Sequence, residues 1–92
     1  ARVGNLERAK SYFEKAFTLG DNNASFYLGF IYDKLNDYVN AKKHYEIACN
    51  EASITKAQAE SCYALAKMYI TRGKRQDFPK AKELLKKACD ME

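Results

Sequence analysis

The stretch SFYLGFIYDKLNDYVNAKKHYEIA, residues 25–48, decides the fold because its pattern recurs on both sides of it. Apolar residues at helical spacing, a short polar turn and a second apolar run at helical spacing predict two helices joined by that turn. In the second run, Ala41, Tyr45 and Ala48 form the pattern A-x3-Y-x2-A. The sequence therefore predicts a helical hairpin as the building unit of the chain.

The second half of this hairpin pattern occurs three times. Its first alanine is Ala9, then Ala41, then Ala81, so the copies follow each other at 32 and then 40 residues. A leucine marks the helix before each of the last two copies, and the distance from this leucine to the alanine grows from 13 residues after Leu28 to 16 after Leu65. Length differences thus fall in turns, which favours repeated hairpins over an ordinary helical bundle.

Periodicity and capping signals predict five helices. The expected bounds are 6–19 with Asn5 as N-cap, 23–35, 38–51, 56–72 with a capping box at Thr55 and Gln58, and a last helix capped by Asp77. Gly20 is expected to end the first helix in the left-handed conformation, and Asn36-Asp37 to supply a turn and a cap. The whole chain, 1–92, is interpreted as one repeat domain with a half repeat at 1–20 and repeats at 21–53 and 54–92, and it is expected to be a fragment of a longer repeat array.

One face of each helix is expected to form the core. The predicted inward residues are Leu6, Ala9, Phe13, Ala16, Phe17; Ala24, Tyr27, Leu28, Ile31, Tyr32, Leu35; Ala41, Tyr45, Ala48, Cys49; Cys62, Leu65, Ala66, Met68, Tyr69; and Ala81, Leu85, Ala88, Cys89. Gly29 is expected where a neighbouring helix approaches closely.

The motifs resemble two related repeat families. L-G-x2-Y from Leu28 to Tyr32, followed by A-x3-Y-x2-A, resembles the tetratricopeptide repeat, and the turn G-K-R-Q-D-F-P-K-A from Gly73 to Ala81 resembles that of Sel1-like repeats. The resemblance extends over residues 6–88. It implies an all-α, right-handed stack of antiparallel helix hairpins and a non-enzymatic scaffold that binds a peptide or protein segment in the concave groove formed by the first helix of each repeat.

Groove residues are expected on the first helices outside the inward stripe. They are Phe26, Phe30, Asp33, Lys34, Tyr63, Lys67, Ile70 and Thr71. Two interpretations of Phe26 and Phe30 stay open: exposed anchors for a partner, or contacts with neighbouring helices. In chaperone-binding members of the family Lys and Asn at these two places clamp a terminal carboxylate, so the two phenylalanines argue against such a clamp.

The positive net charge of the chain gives a mild preference for acidic partners. The 92 residues carry a formal net charge of +4, and Lys34, Lys67 and Lys74 favour acidic segments. No nucleic-acid-binding motif accompanies the lysines, and the longest apolar runs are far shorter than a membrane span. The expected partner is a protein, with no nucleic acid and no insertion into membranes.

Nothing in the sequence indicates catalysis. His44, the only histidine, has no carboxylate at a spacing that would orient it as a base, and we expect it at the surface. Phosphate loops, nucleophile elbows and zinc-protease motifs are missing, and the cysteine spacings match no zinc pattern. We therefore expect no enzyme, no cofactor and no metal.

Three cysteines leave a pairing question open. Cys62 and Cys89 lie at the same end of one predicted hairpin, whereas Cys49 has Ser25 as its equivalent neighbour. The resemblance to cysteine-rich bacterial Sel1-like proteins implies disulfides within hairpins, but the odd count favours buried free thiols. A cytoplasmic protein is slightly preferred on that ground, and an exported or periplasmic one if Cys62 and Cys89 are bonded.

Other roles fit the same pattern. The repeats could simply extend a longer solenoid, or they could be attached to an enzyme not contained in this chain. Self-association through the N-terminal end is also expected, because the helix at 6–19 lacks the first helix of its own repeat.

Overall fold

The computed structural model describes residues 2–72 and 78–90, and these residues form five α-helices. The helices are α1 Arg2–Thr18, α2 Ala24–Lys34, α3 Tyr38–Glu51, α4 Thr55–Arg72 and α5 Phe78–Asp90. Consecutive helices from α1 to α4 pack against each other, as do α4 and α5. This arrangement confirms the predicted all-α stack of helix hairpins, with α2–α3 and α4–α5 as the two full units and α1 packed before them.

Helix α1 begins earlier than expected and is the least buried of the five. It starts at Arg2, so Asn5 lies inside the helix and its predicted capping role is wrong. None of its described side chains is fully buried, because α1 packs mainly against α2. Gly20 ends the segment with a φ of 101°, as predicted, and its amide donates to the carbonyl of Phe17 at 2.9 Å.

Within the α2–α3 hairpin, local chemistry fixes the turn and one residue sets the helix separation. Asn36 has a φ of 62°, and the Asp37 carboxylate accepts a hydrogen bond from the backbone N–H of Asn40 at 3.3 Å. Both features agree with the predicted turn and cap.

Gly29 lies where α2 and α3 are in close contact. A Cβ on Gly29 would lie 2.7 Å from Cδ1 of Tyr45, so the two helices approach too closely there for any larger residue.

The core consists largely of alanines with a few large side chains between them. Leu28, Ala41, Ala48 and Ala66 are fully buried. The largest buried cluster joins the two hairpins; it contains Ala41, Tyr45, Leu65, Ala66, Tyr69 and Ala81. Small residues at the contacts allow the helices to approach closely, and a few aromatic rings fill the remaining space.

Three residues predicted to point inward are exposed instead. Tyr27 is 47% exposed although its ring stacks on Phe13 at a centroid distance of 4.8 Å, while Leu85 is 37% exposed and Cys89 is also exposed. Leu85 and Cys89 lie on the side of α5 against which no described helix packs. The helical period places a residue on a face, but burial requires a neighbour on that face.

The connection into α4 differs in detail from the prediction. Thr55 is the first helical residue, and the amide of Gln58 donates to the carbonyl of Ile54 at 2.9 Å. Ile54 therefore holds the position before the helix, and the predicted N-cap role of Thr55 is wrong. The predicted cap Asp77 and Lys74, one of the lysines expected to favour acidic segments, lie outside the described residues.

Candidate protein-binding surface

The predicted groove residues form four pairs of equivalent positions on α2 and α4. Leu28 on α2 and Leu65 on α4 are equivalent core residues, 0% and 4% exposed, so positions on the two helices correspond when they are 37 residues apart. The pairs are Phe26 with Tyr63, Phe30 with Lys67, Asp33 with Ile70, and Lys34 with Thr71. In a hairpin stack, equivalent positions on successive first helices are expected to lie side by side, so the sequence predicts that each pair forms one step across the two helices.

Phe30 and Lys34 form the most distinctive contact of this surface. The Phe30 side chain is 49% exposed, and Nζ of Lys34 lies 5.2 Å from the centroid of its ring. A cation one turn away holds the ring by a cation–π interaction while leaving its other side accessible. The pair combines an apolar surface with positive charge.

On α4, the equivalent positions carry residues of mixed character. Ile70 is 49% exposed, Lys67 is exposed, and the Thr71 hydroxyl donates to the Lys67 carbonyl at 2.9 Å. Asp33, the position equivalent to Ile70, is half-buried. Two apolar side chains, Phe30 and Ile70, are thus accessible next to two lysines.

Phe26 does not belong to the exposed set. Its side chain is half-buried and packs against the alanine cluster of Ala48, Ala52 and Ala57, as well as against the larger cluster between the hairpins. For Phe26 the structure therefore supports contact with neighbouring helices, and for Phe30 it shows an exposed ring.

Tyr63, the position equivalent to Phe26, is 58% exposed and lies on a different surface. It lines an open cavity of about 420 Å³ between α4 and α5. The other lining residues are Ala59, Glu60, Leu85, Ala88 and Cys89. The predicted groove residues therefore do not all line one surface. Tyr63 lines this cavity, whereas Phe30, Lys34, Lys67 and Ile70 do not.

His44 is buried, contrary to the predicted surface position. It is 7% exposed, its ring stacks on Tyr32 at 5.4 Å, and Phe17 meets it edge-on at 5.3 Å. Burial lowers the pKa of His44, and the charge of Lys43 lowers it further. The spacing from Ala41 and Ala48, three and four residues away, placed His44 on the core face and could have indicated this.

A tyrosine beside His44 ties α1 to α2. The hydroxyl of Tyr32 donates to Oε1 of Glu14 at 2.6 Å. Burial raises the pKa of Tyr32 to about 12, and the bond to Glu14 acts in the same direction, so the donor stays protonated. Tyr32 and His44 therefore contribute to the packing of α1, α2 and α3.

Cysteine pairing differs from both sequence-based expectations. Cys49 and Cys62 form a disulfide between α3 and α4, with a Cα–Cα distance of 4.7 Å. Cys89, the predicted neighbour of Cys62, is free and exposed. The pair Cys62 with Cys89 and the expectation of three free thiols are thus wrong, because the second helix of one unit lies directly against the first helix of the next and brings Cys49 to Cys62.

Sequence reasoning missed a second cavity, of about 320 Å³, between α3 and α5. Tyr69 is one of the lining residues. Nζ of Lys42 and Nζ of Lys80 lie 5.0 and 5.8 Å from the centroid of its ring, and its hydroxyl donates to Oε1 of Glu46, which also lines the cavity, at 3.2 Å. The remaining lining residues are Asn50, Leu65, Glu83, Leu84 and Lys87. Both signs of charge are present, so the cavity favours neither anions nor cations.

Residues 2–72 and 78–90 contain no group of three or more histidine, cysteine, aspartate or glutamate side chains placed to hold a metal ion. None of the helices they form is both long and apolar enough to cross a membrane.

Comparison with known proteins gives a consistent result for the repeats. The model of the Sel1 repeat matches residues 23–53 and 59–92, which is well over half of the chain, and a tetratricopeptide repeat model matches residues 2–23. Neither the curated proteins nor the solved structures show a significant match to the chain. The matched segments correspond to α1, to the α2–α3 hairpin and to the α4–α5 hairpin.

Proposed function

Because the chain belongs to the Sel1 repeat family, we propose that it is a non-enzymatic scaffold that binds a segment of another protein across α2 and α4. Sel1 and tetratricopeptide repeats are generally protein–protein interaction modules. The observation that carries the proposal is the half-exposed ring of Phe30, held by Lys34 on the first helix of a repeat. We name the surface formed by Phe30, Lys34, Lys67 and Ile70 the first-helix surface.

The first-helix surface suits an extended or helical segment that carries both apolar and acidic side chains. Phe30 and Ile70 offer apolar area that a partner side chain can desolvate, and aromatic residues are frequent energetic centres of interfaces. Lys34 and Lys67 lie beside them and attract carboxylates. A net charge of +4 steers acidic segments towards the chain, with an effect mainly on the association rate.

An architectural role is the second candidate, and it is favoured by different residues. Phe26 is packed between the hairpins, and the disulfide from Cys49 to Cys62 fixes α3 to α4. Such contacts keep successive units in a constant orientation, as a longer solenoid needs. Attachment of the repeats to an enzyme is compatible with either candidate.

The disulfide also bears on where the protein works. Disulfides persist in exported proteins and in oxidising compartments, whereas cytosolic thiols are kept reduced. The bond between Cys49 and Cys62 therefore favours an oxidising compartment over the cytoplasmic location that was slightly preferred from the sequence.

Matched phenylalanine variants test the first-helix surface. A peptide selected on the full chain from a displayed random library would be titrated against wild type, Phe30→Ala and Phe78→Ala. Phe78 is 50% exposed, like Phe30 at 49%, but it lies on α5, the second helix of its repeat. We expect Phe30→Ala to weaken binding by about 1–3 kcal/mol and Phe78→Ala by less than about 0.5 kcal/mol.

Two lysine variants distinguish the contribution of charge to the association rate from the contribution of the Phe30 ring to affinity. Lys34→Ala should slow association and reduce its dependence on salt, while Lys86→Ala, an exposed lysine of α5, should cost less than about 0.5 kcal/mol. Equal losses for Phe30→Ala and Phe78→Ala would contradict binding at the first-helix surface and support the architectural role.

A further inference from the structure

The second helices of the two hairpins, α3 and α5, enclose the cavity of about 320 Å³ together with residues of α4. We call it the α3–α5 cavity, and its most buried lining residues are Leu65 and Tyr69, 4% and 9% exposed. Sites for small molecules begin at about this volume and combine apolar walls with a few polar groups. No residue of the first-helix surface lines this cavity.

Two hydrogen bonds hold the walls of the α3–α5 cavity together. The Tyr69 hydroxyl donates to Oε1 of Glu46 at 3.2 Å, which connects α4 to α3. Nζ of Lys87 donates to Oδ1 of Asn50 at 3.0 Å, which connects α5 to α3. Burial raises the pKa of Tyr69, so its hydroxyl keeps the proton that it donates. The cavity is therefore formed without a ligand, and a ligand need not order these side chains.

Two charged residues of the lining, Lys80 and Glu83, are not paired with an opposite charge. Both are exposed and lie one turn apart on α5, but neither forms a salt bridge within the described part of the chain. Nζ of Lys80 instead lies 5.8 Å from the centroid of the Tyr69 ring, and Nζ of Lys42 lies 5.0 Å from the same centroid. Two ammonium groups and one carboxylate are thus available to a ligand.

This charge pattern favours a ligand that carries both signs of charge. A simple anion would meet the carboxylates of Glu46 and Glu83, and like charges at short range weaken binding. A simple cation would meet the ammonium groups of Lys80 and Lys87 in the same way. A zwitterion can place each of its charges against the opposite charge of the protein.

The spacing of the unpaired charges suits a compact zwitterion. Lys80 and Glu83 are three positions apart on one helix, where Cβ atoms are separated by about 5–6 Å. The ammonium and carboxylate groups of an α-amino acid are bonded to the same carbon atom, so one molecule can reach both residues. Leu65 and Leu84, which also line the cavity, offer apolar contacts to its side chain.

We propose that the α3–α5 cavity binds an apolar α-amino acid in its zwitterionic form. The ligand carboxylate lies between the ammonium groups of Lys42 and Lys80, and the ligand ammonium group faces Glu83. Because these charges are exposed, each ion pair contributes little in water, and we expect a dissociation constant on the order of 1 mM. Binding here is independent of the function proposed for the first-helix surface.

Titration of the full chain with L-leucine is the direct test. The protein would be labelled with ¹⁵N, and the shifts of its backbone amides would be followed by NMR in a buffer without reductant. We expect saturable shifts in α3, α4 and α5 at the lining residues. N-acetyl-L-leucine lacks the ammonium group and L-leucinamide lacks the carboxylate, so each should bind roughly threefold or more weakly.

Matched variants assign the charges to their places. Glu83→Gln and Lys80→Gln should each weaken leucine binding roughly threefold or more, while Lys82→Gln, an exposed lysine of α5 that does not line the cavity, should leave it unchanged. Glu83→Gln should also lose the preference for leucine over N-acetyl-leucine, because the two ligands differ at the group that faces Glu83. Far-ultraviolet circular dichroism checks that the three variants fold.

Three outcomes would overturn the proposal. The first is the absence of saturable shifts at the lining residues up to roughly fifty times the expected dissociation constant. The second is equal affinity of the wild-type chain for leucine and N-acetyl-leucine. The third is an equal loss of leucine binding in Glu83→Gln and Lys82→Gln.

Discussion

At the scale of single residues, Gly29 sets the distance between α2 and α3. A Cβ at this position would lie 2.7 Å from Cδ1 of Tyr45, and Tyr45 is 3% exposed, so its ring has little room to move. We expect Gly29→Ala to lower the free energy of unfolding by about 1–3 kcal/mol, because the overpacking exceeds the gain in helix propensity. Urea denaturation of both proteins measures the difference.

Gly4→Ala is the matched control for this prediction. Gly4 also lies in a helix, and a Cβ there would meet no atom within 4 Å. The variant should be neutral or more stable by up to about 1 kcal/mol. A Gly29→Ala protein as stable as the Gly4→Ala protein would show that the Tyr45 ring can shift without cost.

His44 makes stability depend on pH. Its pKa is lowered from the ordinary value because the ring is buried, so the unfolded chain binds the proton more readily than the folded chain. The stability due to the neutral ring is complete above the unfolded pKa of about 6.5 and is lost as the pH falls below it. We expect the free energy of unfolding to decrease between pH 7.5 and 5.5, by at most about 1.4 kcal/mol per pH unit for one proton.

Urea denaturation at several pH values checks this, with His44→Phe as the comparison. A phenyl ring keeps the stack on Tyr32 and the edge contact with Phe17 but does not titrate. The pH dependence should therefore weaken in the variant. An unchanged slope in His44→Phe would assign the dependence to other groups.

At the scale of elements, the disulfide between Cys49 and Cys62 fixes α3 against α4. It closes a loop with a sequence separation of 13 residues. Reduction should lower the free energy of unfolding by about 2–4 kcal/mol, because the open chain gains conformational freedom when it unfolds. Thermal melts with and without a phosphine reductant measure this loss.

Thiol counting provides an independent check on the same bond. Under denaturing conditions without reductant, the structure predicts one reactive thiol, that of Cys89. Cys89→Ser should melt like wild type and remain sensitive to reductant, whereas Cys49→Ser should melt lower and lose that sensitivity. Three reactive thiols in the native protein would contradict the bond.

At the scale of the whole molecule, stability should be distributed unevenly along the stack. Helix α3 packs against two helices and α4 against three, and the two are cross-linked, whereas α1 packs mainly against α2 and has no fully buried side chain among those described. We expect the backbone amides of α1 to exchange with deuterium faster than those of α3 and α4, because α1 can open without disrupting the shared core. Hydrogen exchange followed by mass spectrometry measures this order.

Reduction of the disulfide provides the control for this prediction. It should speed exchange in α3 and α4 more than in α1, since the bond lies between the former pair. Equal protection of α1 and α3 would mean that the chain opens as one cooperative unit, despite the smaller contact area of α1.

Local chemistry made much of the architecture predictable. Helical spacing of apolar residues identified all five helices, and the predicted bounds of α3 agree with the structure. The turn at Asn36 and Asp37 and the left-handed Gly20 follow from the conformational preferences of those residue types. The sequence by itself therefore determined the hairpins, the turn between α2 and α3 and most of the core, because each depends on residues close together along the chain.

Only the tertiary structure decided which equivalent positions are covered. Cys49 and Cys89 occupy the same place in successive units, yet one is buried in a disulfide and the other is exposed, because α4 covers the first and no described helix covers the second. Phe26 and Tyr63 differ for the same reason. A repeat pattern fixes the face of the helix on which a residue lies, whereas the neighbouring helix determines whether that face is buried, cross-linked or free to bind.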